Sequence, residues 1–255
     1  MCRSILLTTF FAVSSLRAAV TLVGGAPQVA SDDSVTGHTT FSGITVQAGD
    51  YVVVATASNK STTANELTYH WTGTEGTSGN STSLTSEQTF AAYLSYTAIT
   101  VGGTYDFQVL ATVSNLTANS ALYVLRPGSG EMIVVADTDA TANATGSASQ
   151  LSYVFGTSLP SGIAIEAATT QSGGAFTLDS NYTTPNASAA GSGRLISYST
   201  SVSGGTWSSN SPFTNTPDDI ASVGAVFGVA SVPEPSRGVL LVGALGFLVW
   251  RRRRA

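Results

Sequence analysis

Between residues 20 and 232, no long window repeats its apolar residues at helical spacing, and this constrains the fold more than any other feature of the sequence. What recurs are short runs rich in Val, Ile, Thr, Tyr and Phe, cut by clusters of Gly, Asn, Ser and Pro, the pattern of strands and turns. These runs predict strands over 39–46, 51–58, 67–72, 89–96, 104–113, 121–125, 132–136, 151–155, 162–169, 176–181, 194–198 and 222–229. Strands at this spacing with no helices between them imply an all-β fold, an antiparallel β-sandwich of jelly-roll type. The body of about 210 residues is long enough for one such domain.

Within that pattern, Tyr51-Val-Val-Val-Ala55 is continuously apolar, so it predicts a central strand buried on both faces. The stretch from Tyr51 to Asn59 has an echo from Phe107 to Asn115. No third copy follows, so the echo is read as two equivalent core strands and not as a repeat array.

Charge narrows the partners. Residues 20–232 carry fourteen acidic side chains against three basic ones, Lys60, Arg126 and Arg194, a net charge of −11. Nucleic acid is excluded as a partner, because phosphate binding needs clustered Lys and Arg. The other basic residues sit at the two ends. Arg3 precedes an apolar stretch over 5–13, followed by Ser14-Ser-Leu-Arg-Ala-Ala19, the order of a secretory signal peptide over 1–19. The single cysteine, Cys2, leaves with that segment, so the exported body over 20–231 folds without disulfides or cysteine-bound metal.

The other end, 232–255, reads Val232-Pro233-Glu234-Pro235-Ser236, then Arg237, then an apolar run over 238–250, then Arg251, Arg252, Arg253 and Arg254. A basic block stays on the cytoplasmic side of a membrane while the apolar segment enters it, so the body is placed outside. The run has thirteen residues, against roughly 20 for an untilted transmembrane helix. At ~1.5 Å per residue it covers about 20 Å, and spanning requires snorkelling of the flanking arginines or local thinning of the bilayer. The two prolines keep the preceding strip extended. This three-part order resembles the PEP-CTERM sorting signal of exopolysaccharide-producing bacteria. The resemblance implies that the tail, a transmembrane helix in membrane lipid, holds the protein at the inner membrane until a membrane protease, an exosortase, cuts near the Pro-Glu-Pro. The body then passes to the cell surface or the extracellular matrix.

Binding and catalytic candidates are few. Leu67-Thr-Tyr-His-Trp71 alternates, placing Tyr69 and Trp71 on one face, where they offer an aromatic platform for a sugar ring or fill the core. Trp207 lies in a loop-like Gly204-Gly-Thr-Trp-Ser-Ser-Asn210 and is the more exposed candidate for extracellular polysaccharide, with covering of the sandwich edge as the competing reading. Oxygen side chains at Asp137, Asp139, Thr141 and Asn143 have calcium-loop spacing. Ala142 and Ala148 stand where such a loop needs its glycine and bidentate carboxylate, so a solvated turn is the competing reading. No cofactor other than calcium is suggested. His38 and His70 have no metal-binding spacing, no G-x-S-x-G is present, and Glu66, Glu75, Glu87, Glu131 and Glu166 are scattered. The expectation is a non-enzymatic structural or adhesive protein. The alternatives are a carbohydrate-binding module or, less favoured, a glycoside hydrolase or lyase acting through a carboxylate pair.

Overall fold

The computed structural model describes residues 19–32, 38–58, 67–73, 78–80, 82–87, 91–111, 118–148, 150–171, 173–185, 193–214 and 218–232. Residues 1–18 of the expected signal peptide, Pro233, Glu234, Pro235 and Ser236 of the sorting motif, the apolar run 238–250 and Arg251 to Arg254 lie outside them. Among the described residues no helix is long and apolar enough to cross a membrane.

The described chain is all-β and antiparallel. In order its strands are β1 (Thr21–Leu22), β2 (Gln28–Asp32), β3 (His38–Val46), β4 (Tyr51–Ser58), β5 (Leu67–Gly73), β6 (Ser78–Asn80) and β7 (Thr82–Glu87). There follow β8 (Ala91–Ala98), β9 (Gly103–Ala111), β10 (Ala118–Arg126), β11 (Glu131–Ala148), β12 (Gln150–Thr170), β13 (Arg194–Pro212) and β14 (Asp218–Ser231).

Eight of the first ten strands are paired in a nested way. β2 pairs β10, β3 pairs β9, β4 pairs β8 and β5 pairs β6, as in one long antiparallel hairpin. That hairpin is rolled, because β10 also pairs β4 and β9 also pairs β5. A central sheet of order β1-β10-β4-β8-β7, with β2 also on β10, and an outer sheet of order β3-β9-β5-β6 result. A third sheet, β11-β14-β12-β13, is built by the C-terminal half.

The central sheet is buried on both sides, which is why β4 needs an unbroken apolar run and not an alternating one. Val53, Ala55 and Ala57 of β4 join Leu94, Tyr123 and Leu125 in a core shared with Ile165, Ile196, Ala225 and Phe227 of the C-terminal sheet. On the opposite side Val52 and Val54 pack with Phe41, Ile44, Phe107 and Val109 of the outer sheet. Each such Val, Leu or Phe contributes about 1.5–3 kcal/mol by leaving water. The echo between the Tyr51 and Phe107 stretches joins unequal strands. β4 is central and fully buried over Val52 to Ser58, whereas β9 buries alternate residues over 103–109, Tyr105, Phe107 and Val109, in a four-stranded outer sheet.

Strands β12 and β13 are 21 and 19 residues long, several times the usual five or six. They double back. The segment 173–185 is bound to both ends of β13: Thr183 forms a bridge with Tyr198, while the Asp179 amide donates to Ser211 Oγ at 3.2 Å. A straight strand would hold Tyr198 and Ser211 about 43 Å apart at ~3.3 Å per residue, yet Asp179 and Thr183 span at most about 14 Å. The fold in the ribbon coincides with register shifts between Thr157 and Ser161 and between Gly162 and Ala164. The sequence supplies the bend there: Gly156, Pro160 and Gly162 stand on β12, and Gly204 and Gly205 on the same stretch of β13. Gly162 is also required for close packing, since a Cβ there would lie 2.6 Å from the Phe227 carbonyl oxygen.

Several sequence expectations are corrected. The predicted strands 151–155 and 162–169 are one bent strand, and 132–136 continues to Ala148. The stretch 176–181 is not a strand; it contributes one isolated bridge, Phe176 to Phe213. Trp207 is not in a loop but on β13 opposite Phe155. Asp137, Asp139 and Asn143 are not in a turn either; they lie on β11 opposite Val226, Gly224 and Ile220 of β14.

Candidate polar groove at Tyr198

β13 is one of the two edge strands of the C-terminal sheet, so its outer backbone groups need partners or solvent. At Tyr198 they are met by Thr183, through Thr183 N to Tyr198 O at 2.8 Å and Tyr198 N to Thr183 O at 2.9 Å. The segment carrying Thr183 is fixed by its own turn. The Tyr182 amide donates to the Asp179 carbonyl at 3.0 Å and the Asn181 amide to Asp179 Oδ1 at 2.9 Å. Phe176 and Tyr182 hold it down on Ala164, Leu195 and Ile220 of the sheet's outer face.

A cavity of about 520 Å³ opens beside this bridge. Ser180, Asn181 and Thr183 line one wall, Tyr198 through Ser201 of β13 a second, and Leu22 with Gly25 of the N-terminal turn the third. No lining residue carries a charge. Leu22 and Tyr198 are half-buried and pack against the main core, so they form the apolar part of a mostly hydroxyl- and amide-lined surface.

The Tyr198 ring is set from below. It meets Tyr123 edge-on, with ring centroids 5.6 Å apart at 67°. Tyr123 is fully buried, and burial first, then Tyr198 and Glu166, hold its hydroxyl well above the ordinary tyrosine range. Glu166 itself is buried in β12 and accepts a hydrogen bond from Ser197 Oγ across the β12–β13 pair.

The residues singled out from sequence are dispersed. Tyr69 and Trp71 are on β5 opposite Val109 and Phe107, two of the β9 positions whose side chains face the central sheet. The side chains of Tyr69, Trp71, Trp207 and Asn143 lie outside those described. Asp137 and Asp139 occupy alternate positions of a paired strand, about 6.7 Å apart along it, and do not wrap a centre as a calcium loop does. Among the described residues no group of three or more His, Cys, Asp or Glu is placed to hold a metal ion. The sequence singles out none of Leu22, Asn181 and Tyr198 as binding residues; Asn181 and Tyr198 enter only as the last residues of the predicted strands 176–181 and 194–198.

Comparison with protein-family models, curated proteins and solved structures found no match. The functional reading therefore rests on the residues themselves.

Proposed function

We propose that this chain is an exported β module of the bacterial envelope or extracellular matrix, with a structural or adhesive role. It is held at the inner membrane by its C-terminal segment and released by an exosortase. The observation that carries this reading is the sequence of the tail, Val232-Pro233-Glu234-Pro235-Ser236, apolar run and Arg251 to Arg254, which follows β14 in the chain. β14 ends at Ser231, and the Val232 amide donates to the Gly130 carbonyl at 3.0 Å. Every described strand precedes Pro233, so a cut at the motif removes none of them. The nested pairing of β2, β3, β4, β5, β6, β8, β9 and β10 supports a jelly-roll sandwich as the core of the module, with the C-terminal sheet stacked on it.

Replacing Pro233, Glu234 and Pro235 by alanine tests the sorting reading. The substituted chain should keep its arginine block and accumulate at the inner membrane. Unchanged C-terminal processing and location would count against the reading.

A second reading, a carbohydrate-binding module, is favoured by the uncharged groove at Tyr198. It concerns what the body touches once outside and is compatible with the first.

A further inference from the structure

We propose that the groove at Tyr198 is a binding site for a neutral saccharide chain, with a sugar ring lying on the apolar floor of Tyr198 and Leu22. The proposal gives the carbohydrate-binding reading a location and a ligand charge.

The chemistry of the walls selects the ligand class. Ser180, Asn181, Thr183, Thr200 and Ser201 bear hydroxyl or amide groups that both donate and accept. A polyol offers the same dual character at every hydroxyl. A hard cation would need several carboxylates, and a phosphate or carboxylate ligand would need Arg or Lys; the lining has none of these. The acidic body, at −11 over residues 20–232, also repels polyanions. A lipid or other purely apolar ligand would leave the wall groups unpaired.

Size and rigidity agree. About 520 Å³ falls within the roughly 300–1,000 Å³ of small-molecule sites. The floor is pre-set, since Tyr198 is clamped by the Tyr123 ring and by paired backbone hydrogen bonds to Thr183. Little ordering is left for binding to oppose. Three chain segments converge here, from 22–25, 180–183 and 198–201.

The test uses the full chain, purified in a detergent without a sugar headgroup, and calorimetric titration with cellohexaose, xylohexaose, maltohexaose and polygalacturonate. At least one neutral hexaose should bind, and polygalacturonate should not. Asn181→Ala should weaken binding about tenfold, and Ser201→Trp should abolish it by filling the groove; both positions are exposed, so the fold is expected to survive. Tyr198→Phe should bind as the parent does and Tyr198→Ala should not. The proposal is overturned if none of the neutral hexaoses binds, if polygalacturonate binds better, or if Asn181→Ala and Ser201→Trp leave affinity unchanged. Export is scored separately by location, so a surface-located protein that binds no hexaose refutes the groove alone.

Discussion

Asp50 and Arg126 lock the start of β4 to the end of β10. Arg126 Nε donates to Asp50 Oδ1 at 2.8 Å and its Nη2 to Oδ2 at 2.7 Å, while Oδ2 also accepts the Gln47 amide at 2.8 Å. The carboxylate is 1 % exposed and the guanidinium 31 %. Such a bidentate pair is geometrically specific, and Gly49, at φ 93°, makes the turn that brings Asp50 round to it.

Removing the cation leaves a buried carboxylate without its counter-charge. Arg126→Ala should therefore cost about 3 kcal/mol, the low end for a broken buried pair because one partner is part-exposed. Arg126→Lys should restore only part of this, since an ammonium cannot make the parallel pair. Urea denaturation midpoints of the three proteins check the order.

The buried Tyr123 hydroxyl predicts an alkaline limit. Its folded-state pKa is raised, so the folded state keeps the proton more tightly than the unfolded state, whose tyrosine titrates near 10.0. The contribution is fully present below that pH and is lost as pH rises above it. Tyr123 Oη has no hydrogen-bond partner among the described residues. Tyr123→Phe should then change stability by less than about 1 kcal/mol at pH 7 and flatten the fall above pH 10. Unfolding free energies measured from pH 7 to 11.5 decide this, and equal slopes for both proteins would refute it.

Gly162 sits where β12 bends and passes β14. A methyl there meets the Phe227 carbonyl oxygen at 2.6 Å, a backbone atom that cannot swing away. Gly162→Ala should cost about 1–3 kcal/mol through overpacking. Thermal denaturation of the variant, beside Gly130→Ala in open space at an exposed turn of φ 75°, separates packing from backbone strain.

Calcium should not stabilise the body, because Asp137 and Asp139 follow a strand paired to Val226 and Gly224. The melting temperature should be the same in millimolar calcium and in chelator. A rise with calcium of the size expected for mass action, about 2.7 kcal/mol at a hundredfold excess over Kd, would contradict this strand-based reading.

Strands that carry their own hydrophobic signal were legible from sequence. β4 has the bounds expected from sequence, since the β-branched run Tyr51-Val-Val-Val-Ala55 favours a central strand buried on both faces. β1, β2, β6 and β7 were missed because they are short or rich in Ser, Thr, Asn and Gly, and they are strands by virtue of their neighbours. The same override explains β11: Asp137-Thr-Asp-Ala-Thr-Ala-Asn143 reads as turn chemistry, but β14 pairs each of these residues in turn, between one register shift at Ala136 and a second after Asn143. At β12 the error ran the other way. Gly156 to Ser161, with Pro160, reads as the connection between two strands and is the bend of one.

The groove was not legible. Leu22, Asn181 and Tyr198 come from distant parts of the chain, so no spacing rule joins them. Only pairing of Thr183 with Tyr198 brings them together.

The most direct test of the account is the intact mass of the protein recovered from the cell surface or culture matrix. The account predicts a chain lacking both its first residues, through Ala18 or Ala19, and everything beyond the Pro233-Glu234-Pro235 region. A full-length 26.0 kDa chain recovered from the cytoplasm, with Arg251 to Arg254 still attached, would contradict it.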